Sequence, residues 1–424
     1  DRLVPDQAAL AIEYGHAAAY SMRPPRRVAP LAWPWGPFPD ASLADPGARA
    51  RLPLSRHFDG IGLVVARSSW SDEATYVTFK AGDNFWSHSH LDQGSFTIYR
   101  GGALALDSGA NYGTGYGSDH HLNYSYQTIA HNAVTVTDPN DRVPMPAKPR
   151  ESPRFIANDG GQRRIGSGWG VEAAPLDLAE WQDKRAIYET GDIVDHRDDQ
   201  GITLAVADVT AAYTNELSGK GTFSHRTRRV ERAWRVFAYD RIDDVVVVYD
   251  DVVATNAALR KRWLLHTAMQ PRVDGRRFVA EVPPGKGPGR QGGRLEGHVL
   301  LPRAAALLPV GGSGLEFLVD GTNYDEGGKL QDAVERSPAH RSEAGRWRLE
   351  LMPLAEAAAD QFLVVMLPTR LGEPATHQVR LVEDGGRVGA EVSGPRRTVT
   401  YWFRSGELAA RVQVAGAPGG TPAR

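Results

Sequence analysis

The segment His88-Ser89-His90-Leu91-Asp92-Gln93-Gly94-Ser95-Phe96-Thr97-Ile98-Tyr99 joins two histidines to a run of residues that favours a β-strand. Because residues i and i+2 of an extended chain point to the same face, His88 and His90 are expected to lie side by side. Neutral imidazole is a common metal ligand, and carboxylate is its usual companion on zinc. Five of the thirteen histidines fall between residues 88 and 131, a crowding that core packing explains poorly.

Strand-like runs bounded by Gly and Asp turns continue through most of the chain beyond residue 56. Many short strands with few helical patterns predict a mainly β protein, an antiparallel multi-sheet β-sandwich. Strands are predicted at 61–67, 75–80, 95–99, 133–137, 202–206, 229–236, 244–249, 262–266, 315–319, 347–351, 362–367 and 398–403.

The sequence predicts three parts of very different size. Residues 1–55 form a helix and linker, with the helix over 5–22 ended by Arg23-Pro24-Pro25. Residues 56–415 form the β-sandwich domain, interrupted by a flexible Gly- and Pro-rich loop at 283–293, and residues 416–424 form a disordered tail.

Bulk composition excludes several classes of protein. A net charge of -2 gives no reason to expect nucleic acid as a partner, and no run of about 18 apolar residues predicts a membrane span. Without cysteine the chain cannot form disulfides or thiolate metal sites. Because it starts at Asp1 without an initiator Met or a signal peptide, we expect a processed form or a piece of a longer protein.

Residues 58–137 resemble the heparinase II/III-like polysaccharide lyases. The resemblance is carried by His88-x-His90-x-Asp92-x-Gly94-Ser95-Phe96, by the Asp107-Ser108-Gly109 turn and by His131-Asn132-Ala133-Val134. Weaker support comes from Arg232 to Arg235, Asp250-Asp251-Val252 and Arg262 to His266. It implies a β-sandwich of several sheets, a supersandwich, that follows an α/α-toroid. Residues 1–55 would then be a short helical segment left from that toroid.

The resemblance implies that His90, Asp107 and His131 hold a metal ion, with zinc expected and calcium or manganese as alternatives. Three protein ligands leave a fourth position for water. The competing interpretation is a set of hydrogen-bonded core histidines. Asp92 is expected to hold a histidine tautomer rather than to bind the metal.

The resemblance also implies an activity, β-elimination at a uronic acid of an anionic polysaccharide such as a glycosaminoglycan or alginate. His88 would lie at the substrate carboxylate and Tyr116 would act as acid or base. Trp86, Tyr112 and Tyr124 would contact sugar rings, with core packing as the alternative for each. Such an enzyme is expected in the bacterial periplasm or outside the cell.

Three further interpretations stay open. Because nearly all of the toroid is missing, a separate α/α-toroid chain could be a second partner besides the polysaccharide. Alternatively, the chain could be a non-catalytic, metal-braced sandwich that binds polysaccharide. A metallo-β-lactamase-like hydrolase is another candidate, although Gln93 stands where that class has a histidine. His120 and His121 are interpreted as an exposed loop pair, and His266 as a hydrogen-bonded histidine within the sandwich.

Overall fold

The computed structural model describes residues 51–83, 90–109, 118–138, 143–144, 155–156, 160–162, 175–214, 228–329 and 345–416. The chain divides into two compact units. The first is described only at residues 51–54 and 69–71, where the Trp70 indole donates a hydrogen bond to the carbonyl of Leu52 at 3.1 Å. The second unit, residues 55–68 and 72–424, contains every strand given below.

Helices are short throughout the described part of the chain. They are α1 (Leu178–Asp183), which Asp177 caps by accepting a hydrogen bond from the backbone of Glu180, and α2 (Arg185–Tyr188). Single 3-10 or π turns lie at Asp59–Ile61, His121–Ser125, Thr128–Ala130 and Thr210–Tyr213. None of the described helices has the length and apolar character needed to cross a bilayer. The helix predicted over 5–22 lies outside the described residues. So does the tail predicted at 416–424, except for Gly416, which ends the last strand instead of lying in a disordered tail.

Among the described residues, most strands lie in four antiparallel sheets, and the strands are numbered in chain order. Sheet A contains β1 (Ser55–Phe58), β2 (Leu63–Arg67), β3 (Tyr76–Lys80), β4 (Phe96–Tyr99) and β5 (Ala103–Ala105), in that order. Sheet B runs in the order β14 (Arg272–Asp274), β15 (Arg277–Val282), β16 (Gly293–Leu301), β21 (Ala359–Arg370), β12 (Val245–Ala254), β11 (Val230–Asp240), β10 (Ile202–Asp208) and β9 (Asp192–Asp199).

The remaining strands form two smaller sheets and two hairpins. Sheet C has the order β17 (Ala305–Gly311), β20 (Trp347–Pro353), β13 (Arg260–Thr267) and β6 (Val134–Thr137). Sheet D has the order β22 (Gln378–Asp384), β23 (Arg387–Ser393), β24 (Arg397–Phe403) and β25 (Arg411–Gly416). The hairpins are β7 (Val143–Pro144) with β8 (Phe155–Ile156), and β18 (Leu318–Val319) with β19 (Thr322–Asn323).

Sheet B is the middle layer of the sandwich. In β12, Val246 and Val248 join the core shared with sheets A and C, whereas Val245, Val247 and Tyr249 join the core shared with sheet D. A strand buried on both faces needs apolar residues at consecutive positions, which explains the unbroken run 245–249. The predicted mainly β class with antiparallel multi-sheet architecture is therefore confirmed.

One predicted strand is wrong over most of its length. Leu315 to Phe317 form a turn, and only Leu318–Val319 pair as a strand. Phe317 and Val319 are buried in one small cluster while Leu315 is 45% exposed, so the run contributes two buried side chains instead of a strand face.

Candidate metal and active site

His90 lies in the loop that leads into β4. The backbone N–H of Leu91 donates to the carbonyl of Tyr126 at 3.0 Å, which fixes the loop against the segment 118–130. The ring of His90 packs edge-on against Tyr126, with 5.8 Å between ring centres. Tyr126 was one of four tyrosines between Asp107 and His131, and nothing in their spacing distinguished it from the others.

Asp107 and His131 are brought together by the loops that follow β5 and precede β6. The backbone N–H of Ser108 donates to the carbonyl of Ala130 at 2.9 Å and ties the two loops to each other. Asp107 Oδ1 then lies 3.2 Å from Nδ1 of His131. The His131 side chain is only 1% exposed, whereas that of Asp107 is 52% exposed.

The two histidines lie at a separation that suits a shared metal ion. The ring centres of His90 and His131 are 5.3 Å apart. Imidazoles bound to one tetrahedral zinc have centres about 5 Å apart, given Zn–N bonds of about 2.0–2.1 Å. The Nε2 atom of His131 is buried and has no hydrogen-bond partner within the described parts of the chain.

The contact between Asp107 and His131 is compatible with two metal arrangements. Neighbouring donor atoms around tetrahedral zinc are about 3.3 Å apart, so Oδ1 and Nδ1 could bind one ion. Alternatively they form a hydrogen bond that orients the ring while Nε2 binds the ion. Among the described residues, no three or more His, Asp or Glu side chains already stand in an arrangement that would hold a metal. The donor types and pairwise distances fit zinc, and the assignment of the ligands stays a prediction.

Electrostatics favour the protonation states that bind metal. Burial, followed by the nearby His131 imidazole, lowers the pKa of His90 to about 4, so its ring is neutral at neutral pH. Partial loss of solvent raises the pKa of Asp107, but the interactions with His131 outweigh this effect and the net pKa is below its usual value. The neutral ring of His90 and the ionised carboxylate of Asp107 are the forms in which these two groups bind divalent cations.

Comparison with known proteins places the chain in a family. Residues 50–333, about two thirds of its 424 residues, match the family described as Heparinase II/III-like, C-terminal. The chain belongs to this family.

Proteins similar to this heparinase II/III-like chain include lyases. A heparin-sulfate lyase from Bacteroides stercoris is 36% identical over 102 residues, which is 23% of this chain and 15% of that protein. A solved heparinase III gene product has a TM-score of 0.51 at 14% identity, covering 83% of this chain and 43% of its own. A mutant of the heparan sulfate lyase HepC from Pedobacter heparinus has a TM-score of 0.50 at 11% identity, covering 99% and 49%. The chain therefore spans less than half the length of these relatives, and the solved structures show the fold alone.

Four of the predicted site residues of this heparinase II/III-like protein lie outside the described residues. They are the two positions expected to act in catalysis, His88 and Tyr116, and the expected sugar contacts Trp86 and Tyr112. Their assignments stay predictions.

Three other residues lie in environments that differ from expectation. Tyr124, expected to contact sugar, is fully buried, packs on Phe317 and hydrogen-bonds Ser108 through its hydroxyl, so it serves the core instead. The interpretation of His120 and His121 as an exposed loop pair is wrong, since both are buried. His120 Nδ1 lies 2.7 Å from the carbonyl of Tyr324. His121 is the first residue of the buried π turn His121–Ser125.

The residues after His90 have structural partners. Asp92 pairs with Lys80 at 2.6 Å, so its described partner is an ammonium group and not a histidine. Gln93 is buried, and its side chain accepts a hydrogen bond from the backbone of Gly82 at 2.8 Å. This hydrogen bond, within the connection between β3 and β4, accounts for glutamine at position 93, where a metallo-β-lactamase-like site would need histidine. The family match does not favour that alternative.

Proposed function

We propose that the chain is the β-sandwich part of a polysaccharide lyase that cleaves a uronate-containing polysaccharide by β-elimination. The observation that carries the proposal is the position of His131, which lies close to His90 on one side and to Asp107 on the other, within the segment that matches the heparinase II/III-like family. The names of the relatives favour a glycosaminoglycan of the heparin or heparan sulfate type as substrate. Such a polymer would be met in the periplasm or outside the cell, where we place the protein.

β-Elimination makes three demands on protein side chains. A base takes the proton on C5 of the uronate, the C–H electron pair forms the C4–C5 double bond, and the C4–O bond breaks with its pair leaving on oxygen. An acid then protonates that oxygen. Because the C5 proton is weakly acidic, the neighbouring carboxylate must be neutralised while negative charge develops on it.

The predicted roles meet these demands. His88 would lie at the carboxylate or transfer a proton, and Tyr116 would serve as acid or base. His90, Asp107 and His131 would hold the zinc ion, which when bound supplies a fixed positive charge that braces the loops around the reacting sugar. We include a partner in the proposal, an α/α-toroid that is either a separate chain or another part of the same protein.

Ultraviolet absorbance during incubation with heparan sulfate, chondroitin sulfate and alginate tests the proposal. Elimination leaves a double bond conjugated to the carboxylate, so absorbance should rise with at least one substrate. Because the chain spans less than half the length of its relatives, the second candidate is a sandwich that binds polysaccharide without cleaving it. Binding to immobilised heparan sulfate with no rise, either alone or with a toroid supplied, would reject the lyase in favour of that candidate.

A further inference from the structure

Arg235 is a buried cation whose orientation is fixed by a carboxylate on the adjacent strand. Only 1% of Arg235 is exposed. Its Nε and Nη2 atoms donate to Oδ1 and Oδ2 of Asp250 at 2.6 and 3.0 Å, across the register pair that joins β11 to β12. Two parallel hydrogen bonds hold the plane of the guanidinium, which also lies over the ring of Phe96 with 5.8 Å to its centre.

The third nitrogen of Arg235 reaches the loops of the candidate metal site. Nη1 donates to the carbonyl of Gly94 at 2.5 Å and to that of Asn132 at 2.6 Å. Gly94 follows His90 by four residues and Asn132 directly follows His131. Sheet B thereby fixes two backbone segments that carry predicted ligands.

Asn132 extends the connection to the third ligand. Its Nδ2 donates to the carbonyls of Phe96 and Leu106 at 2.7 and 3.2 Å, and Leu106 adjoins Asp107. Its Oδ1 accepts the backbone N–H of His266 at 2.7 Å and lies 3.2 Å from Nδ1 of that ring. The amide of Asn132, which is fully buried, thus joins β4, β13 and the loop after β5.

We propose that Arg235 and Asn132 are positioning residues, which set the spacing of His90, Asp107 and His131 through backbone hydrogen bonds without touching metal or substrate. The inference rests on the proposed metal site. Stability alone is a weak reason for such a network, because a buried ion pair can often be replaced by apolar residues without loss of stability. A network that holds three loops at fixed separations instead explains the direction of each of its hydrogen bonds.

A second ion pair, in which Asp240 is buried and Arg397 is half-buried, offers a control with the same paired hydrogen bonds. Arg397 on β24 donates from Nε and Nη2 to Asp240 at 3.0 and 2.6 Å, and from Nη1 to the carbonyl of Gln200 at 2.6 Å. This pair joins sheets B and D, on the face of sheet B opposite to sheets A and C. Replacing either arginine with lysine keeps the charge and removes the paired hydrogen bonds.

The test compares Arg235→Lys with Arg397→Lys in this chain, by zinc competition against a chromogenic chelator and by the unfolding midpoint of the metal-free protein. We expect Arg235→Lys to weaken zinc binding by about 10- to 100-fold, the usual effect of losing groups that support metal ligands. The visible spectrum of bound cobalt should change with it. Arg397→Lys should lower stability but leave zinc affinity within about twofold.

Asn132→Ser provides the second variant if Arg235→Lys does not fold, and should weaken zinc binding in the same way. Wild-type zinc affinity in folded Arg235→Lys or Asn132→Ser, or an equal loss of affinity in Arg397→Lys, would overturn the positioning role alone. Failure of the wild-type chain to bind zinc would instead overturn the proposed metal site, and the positioning role with it.

Discussion

The candidate metal ligands differ sharply in exposure, so one side of the site faces protein and the other faces solvent. The side chain of His131 is 1% exposed and that of Asp107 is 52% exposed. An ion held between them would be shielded by protein on the histidine side and reached by solvent on the carboxylate side. A fourth, exchangeable position is therefore expected next to Asp107, as in metal sites with three protein ligands.

His88→Gln separates catalysis from metal binding. If His88 acts at the substrate carboxylate or in proton transfer, its replacement should lower the rate of the absorbance rise at least about 100-fold, in an assay that includes the toroid where this is required. Zinc content and the unfolding midpoint should stay at the wild-type values, because His90, Asp107 and His131 are unchanged. Loss of zinc from His88→Gln would show that His88 acts in metal binding and not in catalysis.

Asp83 should make stability depend on pH. Burial, opposed in part by the backbone N–H of Thr190, raises the pKa of Asp83 to about 6 from 3.8. The folded state therefore binds this proton more tightly than the unfolded state, so the contribution of Asp83 to stability is present below pH 4 and is lost as the pH rises through 6. The full shift corresponds to about 3 kcal/mol, and solvent screening of this half-buried carboxyl reduces it. Asp83→Asn, which keeps an acceptor for Thr190, should therefore raise the free energy of unfolding at pH 7.5 by about 2 kcal/mol.

Urea unfolding of wild type and Asp83→Asn at pH 4, 5, 6 and 7.5 measures this contribution as the difference between the two proteins. The difference should be near zero at pH 4 and grow as the pH rises. A difference that does not vary with pH would show that folding does not raise the pKa of Asp83.

Residue types were readable from the sequence, but their surroundings were not. The sequence contains the three predicted ligands, and the structure places them in pairs. The sequence contained no sign that Tyr124, His120 and His121 are buried. Their burial comes from distant segments such as Phe317 and Tyr324. Contacts between residues about 200 positions apart leave no local pattern.

At the scale of elements, strands buried on both faces were the easiest to predict. β12 and β21 are runs of apolar residues, and the sequence predicted both, although each strand extends beyond the predicted range. β9, with the sequence Asp-Ile-Val-Asp-His-Arg-Asp-Asp, was missed because it lies at the edge of sheet B and is rich in charged residues. Charges protect an edge strand from pairing with other chains, and they also hide its pattern.

Leu363 in β21 tests how much the burial of both faces of sheet B contributes to the free energy of unfolding. It is fully buried in the core between sheets B and D, so Leu363→Ala should lower the free energy of unfolding by about 2–5 kcal/mol in urea titration. Leu354→Ala, just after β20, is the matched control, since Leu354 is 69% exposed and its loss should cost less than about 0.5 kcal/mol. Similar costs for the two variants would contradict the three-layer arrangement.

At the scale of the whole molecule, sheet B faces one core on each side and so connects the site to the rest of the sandwich. The pairing of sheets A and C against one face of sheet B brings the loops next to β4, β5 and β6 together. Alternation along a strand shows which faces are buried, but not which sheet covers each face. The number of layers and the buried connection from Arg235 to Gly94 and Asn132 therefore required the structure.

We propose above all that His90, Asp107 and His131 bind one metal ion in a heparinase II/III-like sandwich. The most direct measurement is an anomalous difference map at the zinc absorption edge from crystals of this chain grown with zinc. We predict a strong peak about 2.0–2.2 Å from a ring nitrogen of His90, a ring nitrogen of His131 and a carboxylate oxygen of Asp107. Zinc bound elsewhere with none at these three residues would show that they are not the metal ligands.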